Sequence, residues 1–361
     1  MRHTYPSFLF GIFLGFLAAG AFGLFFYLVG IGGKSVLIRK DIARNVSSSS
    51  STTLRGSEVG EASSSVRQTN SLTGILCEHF SRRPFAVMIA EDREARPLSG
   101  IGMADLVIEM PVVTGSITRM MAIFVCEDPK EIGSVRSARH DFIPLAQGYD
   151  AIFAHWGGSA RSLEELGKGV IDNLDALPNK FEAFYRKDGV PAPHDGFTSM
   201  ARLENAARSL GYRMDSKFEG YNFLSSPPRG ILLSGKKISI EYRNPYAVFY
   251  EYNAQTNAYL RSRGGAKEID LLMDRQVEAK NVVIMRAKSR QIGGGYNDVD
   301  ILGGGEAVVY RNGEEIKGTW VKKESRDALR FFNGAGEEIS FVPGKIWIEV
   351  VEPATNVNYT L

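Results

Sequence analysis

The stretch PSFLFGIFLGFLAAGAFGLFFYLVGIGG, residues 6–33, contains no charged side chain. At 1.5 Å per residue, a helix of that length exceeds the roughly 30 Å hydrocarbon core of a bilayer. Residues 1–33 are therefore expected to form one N-terminal transmembrane helix that anchors the chain. A cleaved signal peptide is the rival. Its apolar region runs only about 7 to 15 residues before a small-residue site, whereas this one continues through Phe25, Phe26, Tyr27 and Leu28. No cysteine lies near the end of the segment to take a lipid anchor. Arg2 precedes the span, and Lys34, Arg39, Lys40 and Arg44 follow it. By the positive-inside rule those flanks favour a cytoplasmic C-terminal side.

Residues 34–79 read as a flexible tether. Their stretch VSSSSSTTLRGSEVGEASSSVRQTNSLT is rich in Ser and Thr and nearly free of large apolar side chains, so it cannot bury enough surface to offset chain entropy. The rest of the 361-residue chain has material for two ordinary domains, with 44% hydrophobic and 11% aromatic residues overall. Its 43 basic and 41 acidic side chains leave a formal net charge of +2, which argues against nucleic acid as a partner. Cys77 and Cys126 match no metal-ligand spacing. They can pair outside the cytosol, but Cys126 sits in the apolar run RMMAIFVC and reads more readily as a buried thiol.

The runs FAVMIA (85–90), DLVIEMPV (105–112), TRMMAIFVC (118–126) and DAIFAHWG (150–157) predict buried strands. HDFIPLAQGY, SARSLEELGKG and TSMARLENAARSLGY carry helical periodicity. Residues 80–215 are thus expected to form an α/β or α+β domain. From residue 216 to 361 the runs KISIEYR, AVFYEYN, AYLRSR, NVVIMRAK, LRFFN and IWIEVVE are short and rich in β-formers. In VVYRNGEEIKGTW, Asn312-Gly313 suits a type I′ hairpin turn. This second domain is expected to be mostly antiparallel β, with Trp320 and Trp347 packed inside.

The run from RPFAVMIAEDREARPLSGIGMADLVIEM to KEIGSVRSARHDF, continued in YDAIFAHWGGSARSLEEL and FYRKDGVPAPHDGFTS, resembles the N-terminal domain of the YerB-like family of bacterial lipoproteins. VFYEYNAQTNAYLR, NVVIM, GEAVVYRNGEEIKGTW and PGKIWIEVV resemble its C-terminal domain. The resemblance departs at His140, Asp195 and the stretch KEID at 267–270. It implies a membrane-attached protein of the cell envelope whose folded part lies outside the cytoplasm, and this outweighs the flanking charges. The anchor here is a helix in place of a lipid.

The residues with chemistry to offer sit near the ends of predicted strands, where ligand sites gather on open α/β sheets. Arg96, Arg119, Arg136, Arg139, Arg161 and Arg186 are the expected anion binders, because a guanidinium offers a planar donor fork to phosphate or carboxylate. If GSVRSARHDFIP (133–144) is helical, Ser134 caps it and Arg136, Arg139 and His140 share a face. Gly157, Gly158 and Ser159 form a strand-to-helix turn that suits an oxyanion, or only a turn. His155 and His194 are the candidate acid–base groups, the latter paired with Asp195. The His-Asp pairs at 140–141 and 194–195 lack the spacing of known metal motifs, so no metal or cofactor is expected. Ser137 and Ser159 have no GxSxG elbow.

Two functional classes follow. One is a non-enzymatic envelope module that binds an anionic glycan, a lipid-linked precursor or a protein partner in an Arg/His-lined cleft. The other is an enzyme acting on a phosphate- or glycan-containing substrate, with His155 or His194 moving the proton. A loose likeness of ADLVIEM and the following arginines to the LytR-CpsA-Psr glycopolymer transferases motivates the second.

Overall fold

The structure, a computed structural model, describes residues 68–113, 117–225 and 234–360. The expected anchor and nearly all of the expected tether lie outside the described residues. Among the described residues, no helix is long and apolar enough to cross a membrane.

The strands that build the core are β1 (Phe85–Ile89), β2 (Leu106–Pro111), β3 (Thr118–Phe124), β4 (Ile152–His155), β5 (Asn173–Asp175), β6 (Lys237–Ile240), β7 (Val248–Asn253), β8 (Ala258–Arg263), β9 (Asn281–Arg286), β10 (Gly303–Arg311), β11 (Glu314–Lys322), β12 (Arg330–Asn333), β13 (Ile346–Val351) and β14 (Val357–Thr360). The helices are α1 (Phe142–Gly148), α2 (Ala160–Gly167) and α3 (Met200–Ser209). The N-terminal part is mixed α/β and the C-terminal part is β-rich with antiparallel sheets. The two parts nevertheless share one ten-stranded sheet, in the order β12-β11-β10-β9-β13-β2-β3-β1-β4-β5. The seam is β13, which runs parallel to both β9 and β2 and so stitches the last long strand of the chain into its first half.

Both faces of this sheet are covered, which is why its strands read as continuous apolar runs. Alternation sends Ala86, Met88, Met121 and Ile123 into one core with α1, Trp320 and Phe341. Phe85, Val87, Met120 and Phe124 enter the opposite core with α3 and a second, antiparallel sheet in which β8, β7, β6 and β14 lie side by side. Ser159 and Ser199 cap α2 and α3, their side chains accepting from the backbone N–H of Ser162 and Arg202. At the β10–β11 turn, Asn312 and Gly313 both have positive φ, as the type I′ hairpin requires. Trp320 and Trp347 are buried, as expected.

Three expectations need correction. Part of the stretch expected as tether is folded: Gln68–Thr69 pairs with Leu76–Cys77, Leu72 is buried, and Cys77 forms a disulfide with Cys126. Cys126 is therefore a bridge to this hairpin and not the free buried thiol its apolar surroundings suggested.

The segment from 133 to 140 is extended, so Ser134 caps no helix. Its backbone is spent on neighbouring chains: Val135 N–H donates to Gly196 O, Arg136 N–H to Met88 O and Ala138 N–H to Gly157 O. Helix α1 begins only at Phe142. Finally, the second half is mostly antiparallel as expected, but β13 pairs in parallel both with β9 inside that half and with β2 of the first half.

Candidate functional site

β1, β2 and β4 end on the same side of the sheet, where antiparallel β3 begins. Arg119 is the second residue of β3, and alternation places it on the same face as Met121 and Ile123. The extended strap 133–140 crosses this end of the sheet and contributes Arg136 and Arg139. Arg119 on β3 and Arg136 and Arg139 on the strap thus meet at the strand ends. Each feels the positive charge of another: burial, then the charges of Arg139 and Arg136, pull Arg119 down to about 9. Burial and Arg136 likewise hold Arg139 below its ordinary value.

The way they are held is informative. Arg119 Nη1 donates to Ser137 O at 3.1 Å, Arg136 Nη1 to Pro193 O at 3.1 Å, and Arg139 Nη1 to Ala138 O at 2.8 Å. Each guanidinium is oriented by a neutral carbonyl, which fixes the fork without cancelling its charge. Among the described residues, neither Arg119 nor Arg139 forms an ion pair, and Arg136 has only Asp92, at 3.5 Å. The Nε atoms of all three are buried without a hydrogen-bond partner among the described residues, as is Asp92 Oδ2.

Arg119 itself is only 4% exposed. A buried guanidinium without a counter-charge is costly, and the cost falls when an anion arrives. The C-terminal half closes one side. Asn297 N–H donates to Val112 O, Val113 bridges to Tyr296, and the Arg139 guanidinium lies 4.7 Å from the centre of the Tyr296 ring. Sequence reasoning did not find Tyr296 or Asp92; neither sits in a recognisable motif.

The other expected residues divide. His194 belongs beside the cluster, since Arg136 is bonded to the carbonyl of Pro193 immediately before it. Its Nδ1 is buried without a partner among the described residues. The expected His194–Asp195 base pair is not formed in that sense, because Arg186 Nη1 binds both Asp195 oxygens at 2.7 and 2.8 Å and stacks 4.8 Å from the Trp156 ring. Arg186 is thereby taken up outside the cluster.

His155 is a core residue with no exposed surface. Its Nδ1 lies 2.8 Å from Gly157 O and its Nε2 3.3 Å from Asn173 Oδ1, so neither nitrogen is left for a substrate. The Gly157–Gly158–Ser159 turn is also consumed by structure. Gly157 N–H donates to Asp175 and Ser159 N–H to Ala138 O, and Ser159 Oγ caps α2. Gly157 has positive φ, and a Cβ on Gly158 would strike Ser162 Oγ at 2.5 Å. These glycines are needed for the turn.

Arg96 lies in a second polar cluster, buried between the two sheets. It donates to Glu91 O at 2.6 Å and sits 3.8 Å from the Glu91 carboxylate. Around it Arg261 and Arg263, from β8, bind Glu109 and Glu268, and Arg263 also reaches Glu91 at 2.7 Å. Burial holds Glu91 well above the ordinary carboxylate range. Here nearly every positive charge has its own carboxylate, the reverse of the situation at Arg119. We read it as the polar seam between the sheets.

A cleft of about 1010 Å³ opens beside the arginine cluster, lined by His140, Asp141, Arg161, Arg286, Asp298 and Glu306 among others. His140 Nε2 lies 3.1 Å from Asp141 and 2.9 Å from Asp298, and one donor atom from each of the three falls within 4.8 Å of the others. Such a set has the composition to hold a cation. Burial opposes charge on the imidazole, but the two carboxylates outweigh it and raise its pKa. Arg161, at 3.2 Å, and Arg290 also bind Asp298. The charges in this cleft are mixed, and the acids of the His140 group are matched by Arg161 and Arg290, so the group of three arginines of one sign next to it is the better candidate for an anion.

Comparison with known proteins agrees with this architecture. Residues 72–213 match the family model described as "Protein of unknown function (DUF3048) N-terminal domain", and residues 238–348 match its C-terminal domain. A relative from Bacillus subtilis (strain 168), described as "Putative lipoprotein YerB", is 32% identical over 286 residues, 78% of this chain and 85% of that protein. The crystal structure of YerB from Bacillus subtilis superposes with a TM-score of 0.72 at 31% identity, covering 81% of this chain and 99% of that one.

Proposed function

The chain belongs to the DUF3048 family, and on that premise we propose that it is a membrane-tethered envelope protein that binds an anionic ligand through Arg119, Arg136 and Arg139. The observation that carries this reading is the charge imbalance at the strand ends: three guanidinium groups, that of Arg119 buried and those of Arg136 and Arg139 half-buried, are oriented by carbonyls and have one carboxylate in an ion pair among the described residues. Preorganised donors of this kind lose little entropy when a ligand binds. The anion is a group on a glycan, on a lipid-linked precursor or on a protein partner.

Attachment to the envelope rests on the likeness to a protein described as a lipoprotein and on the uncharged stretch 6–33. The Cys77–Cys126 bridge supports an oxidising compartment outside the cytoplasm, since such bonds persist there and are rare within it. The alternative, an enzyme acting on a phosphate- or glycan-containing substrate, is favoured by His194, whose unpartnered Nδ1 lies close in the chain to the Arg136 contact. His155 has no part in either version.

The test is thermal melting of the full chain in chloride and with phosphate, sulfate or citrate added. Binding to the folded form raises the midpoint. The reading predicts a rise in the wild type that Arg136→Met and Arg139→Met abolish. Equal shifts in all three proteins would refute it. A reporter fused to the C-terminus checks the side of the membrane.

A further inference from the structure

Resting on the anion-site reading above, we propose that the ligand group is a doubly charged phosphate, either a free ion or a phosphate monoester, in preference to a carboxylate or a phosphodiester.

The argument is one of charge and of acceptor number. Arg119, Arg136 and Arg139 bring three positive charges, and Asp92 is the one carboxylate paired with any of them among the described residues. Asp141, whose charge acts on Arg139 more strongly than that of Asp92 but which forms no ion pair with it, is held by His140 at 3.1 Å and accepts from Val299 N–H at 3.1 Å. Glu91, adjacent in sequence to Asp92, is committed to Arg263 at 2.7 Å. Two of the three guanidinium groups, those of Arg119 and Arg139, therefore form no ion pair among the described residues. A carboxylate or a diester phosphate brings one negative charge and leaves one guanidinium uncompensated in a buried setting. A monoester phosphate brings close to two, with three acceptor oxygens.

Three forks, each with one Nη1 already tied to a carbonyl, leave their remaining donors for those oxygens. Arg119 at the back of the group, 4% exposed and with a free Nε, supplies the contact least diluted by water.

The experiment is calorimetric titration of the full chain at about pH 8, where a phosphate monoester carries close to two charges. The probes are methyl phosphate, dimethyl phosphate, acetate and inorganic phosphate. The proposal expects methyl phosphate or inorganic phosphate to bind at least about tenfold more tightly than dimethyl phosphate and acetate. Comparable affinities for methyl phosphate and inorganic phosphate would identify an esterified group as an acceptable ligand; inorganic phosphate alone would identify the free ion. Both support the proposal. Dimethyl phosphate or acetate binding as tightly as the dianions overturns it while leaving an anion site in place. Failure of every anion to bind removes the anion site itself.

Discussion

Glu109 and Glu349 stand opposite one another in the parallel register of β2 and β13, both without exposed surface, and the guanidinium of Arg261 forms an ion pair with each. β8 delivers that arginine from the second sheet, 4.3 Å from the centre of the Trp347 ring, where it offsets the repulsion between the two carboxyl groups. Arg263, two residues on in β8, binds Glu109 as well, so the polar seam joins the layers through two arginines of one strand. Replacing Arg261 with Met leaves both glutamates buried without it, and removal of one member of such a network typically costs about 3–5 kcal/mol. Denaturant unfolding of Arg261→Met is expected to show a loss of that size.

Glu349 also gives the fold a pH dependence. Burial and the nearby Glu109 charge raise its pKa to about 7. Its protonated form is thus favoured in the folded state relative to the unfolded chain, where an ordinary glutamate titrates near 4.5. The resulting stabilisation is complete below about pH 4.5 and is lost as pH rises through about 7. Glu349→Gln, which cannot ionise, should lack this component. The difference in unfolding free energy between variant and wild type is predicted to shift in favour of the variant from pH 5 to pH 8, measured by urea titration at each pH.

The Cys77–Cys126 bridge closes a loop with a sequence separation of 49, pinning the 68–77 hairpin to the chain just past the strand that carries Arg119. On the chain-entropy model such a bridge contributes about 4 kcal/mol, and removal of native bridges typically costs 2–5 kcal/mol. The Cys77→Ser/Cys126→Ser protein is expected to unfold at lower denaturant by that margin. Its anion affinity should change little, because neither cysteine touches the arginines.

The two histidines should separate cleanly. His155→Ala removes partners of Gly157 O and Asn173 inside the core and is expected to cost about 1–3 kcal/mol of stability. His194→Ala should have a smaller effect on folding, and its influence should appear in anion affinity or, on the enzymatic reading, in turnover. Unfolding curves and anion titrations of both variants measure the two effects side by side.

Much of this fold was legible because its strands are buried on both faces, so FAVMI, LVIEMP and TRMMAIF announce themselves as apolar runs. The helices were legible from periodicity, and α2 also from the strand-to-helix turn ending at Ser159. The path of 133–140 was not: Arg136 and Arg139 have helical spacing, and only the long-range hydrogen bonds to Met88, Gly157 and Gly196 make the segment extended. Residue type and position near strand ends singled out Arg96, Arg119, Arg136, Arg139, Arg161 and Arg186 alike, of which the fold brings Arg119, Arg136 and Arg139 together. Arg96 and Arg186 look identical in sequence, yet a carboxylate claims each of them, and which arginine finds a carboxylate is decided by tertiary contacts. The shared sheet was hidden for the same reason, since strand order is a property of pairing and β13 lies far along the chain from β2.

The central claim is that Arg119 is retained for a ligand at the expense of the fold, and the unfolding free energy of wild type and Arg119→Met, each with and without phosphate, tests it most directly. Without phosphate, the account predicts that Arg119→Met is the more stable protein by about 1 kcal/mol, because an uncompensated buried charge has been removed. With phosphate, the wild type gains stability and the variant does not. A variant that is less stable than wild type in both conditions, with the same response to phosphate, would contradict the claim and make Arg119 a structural residue.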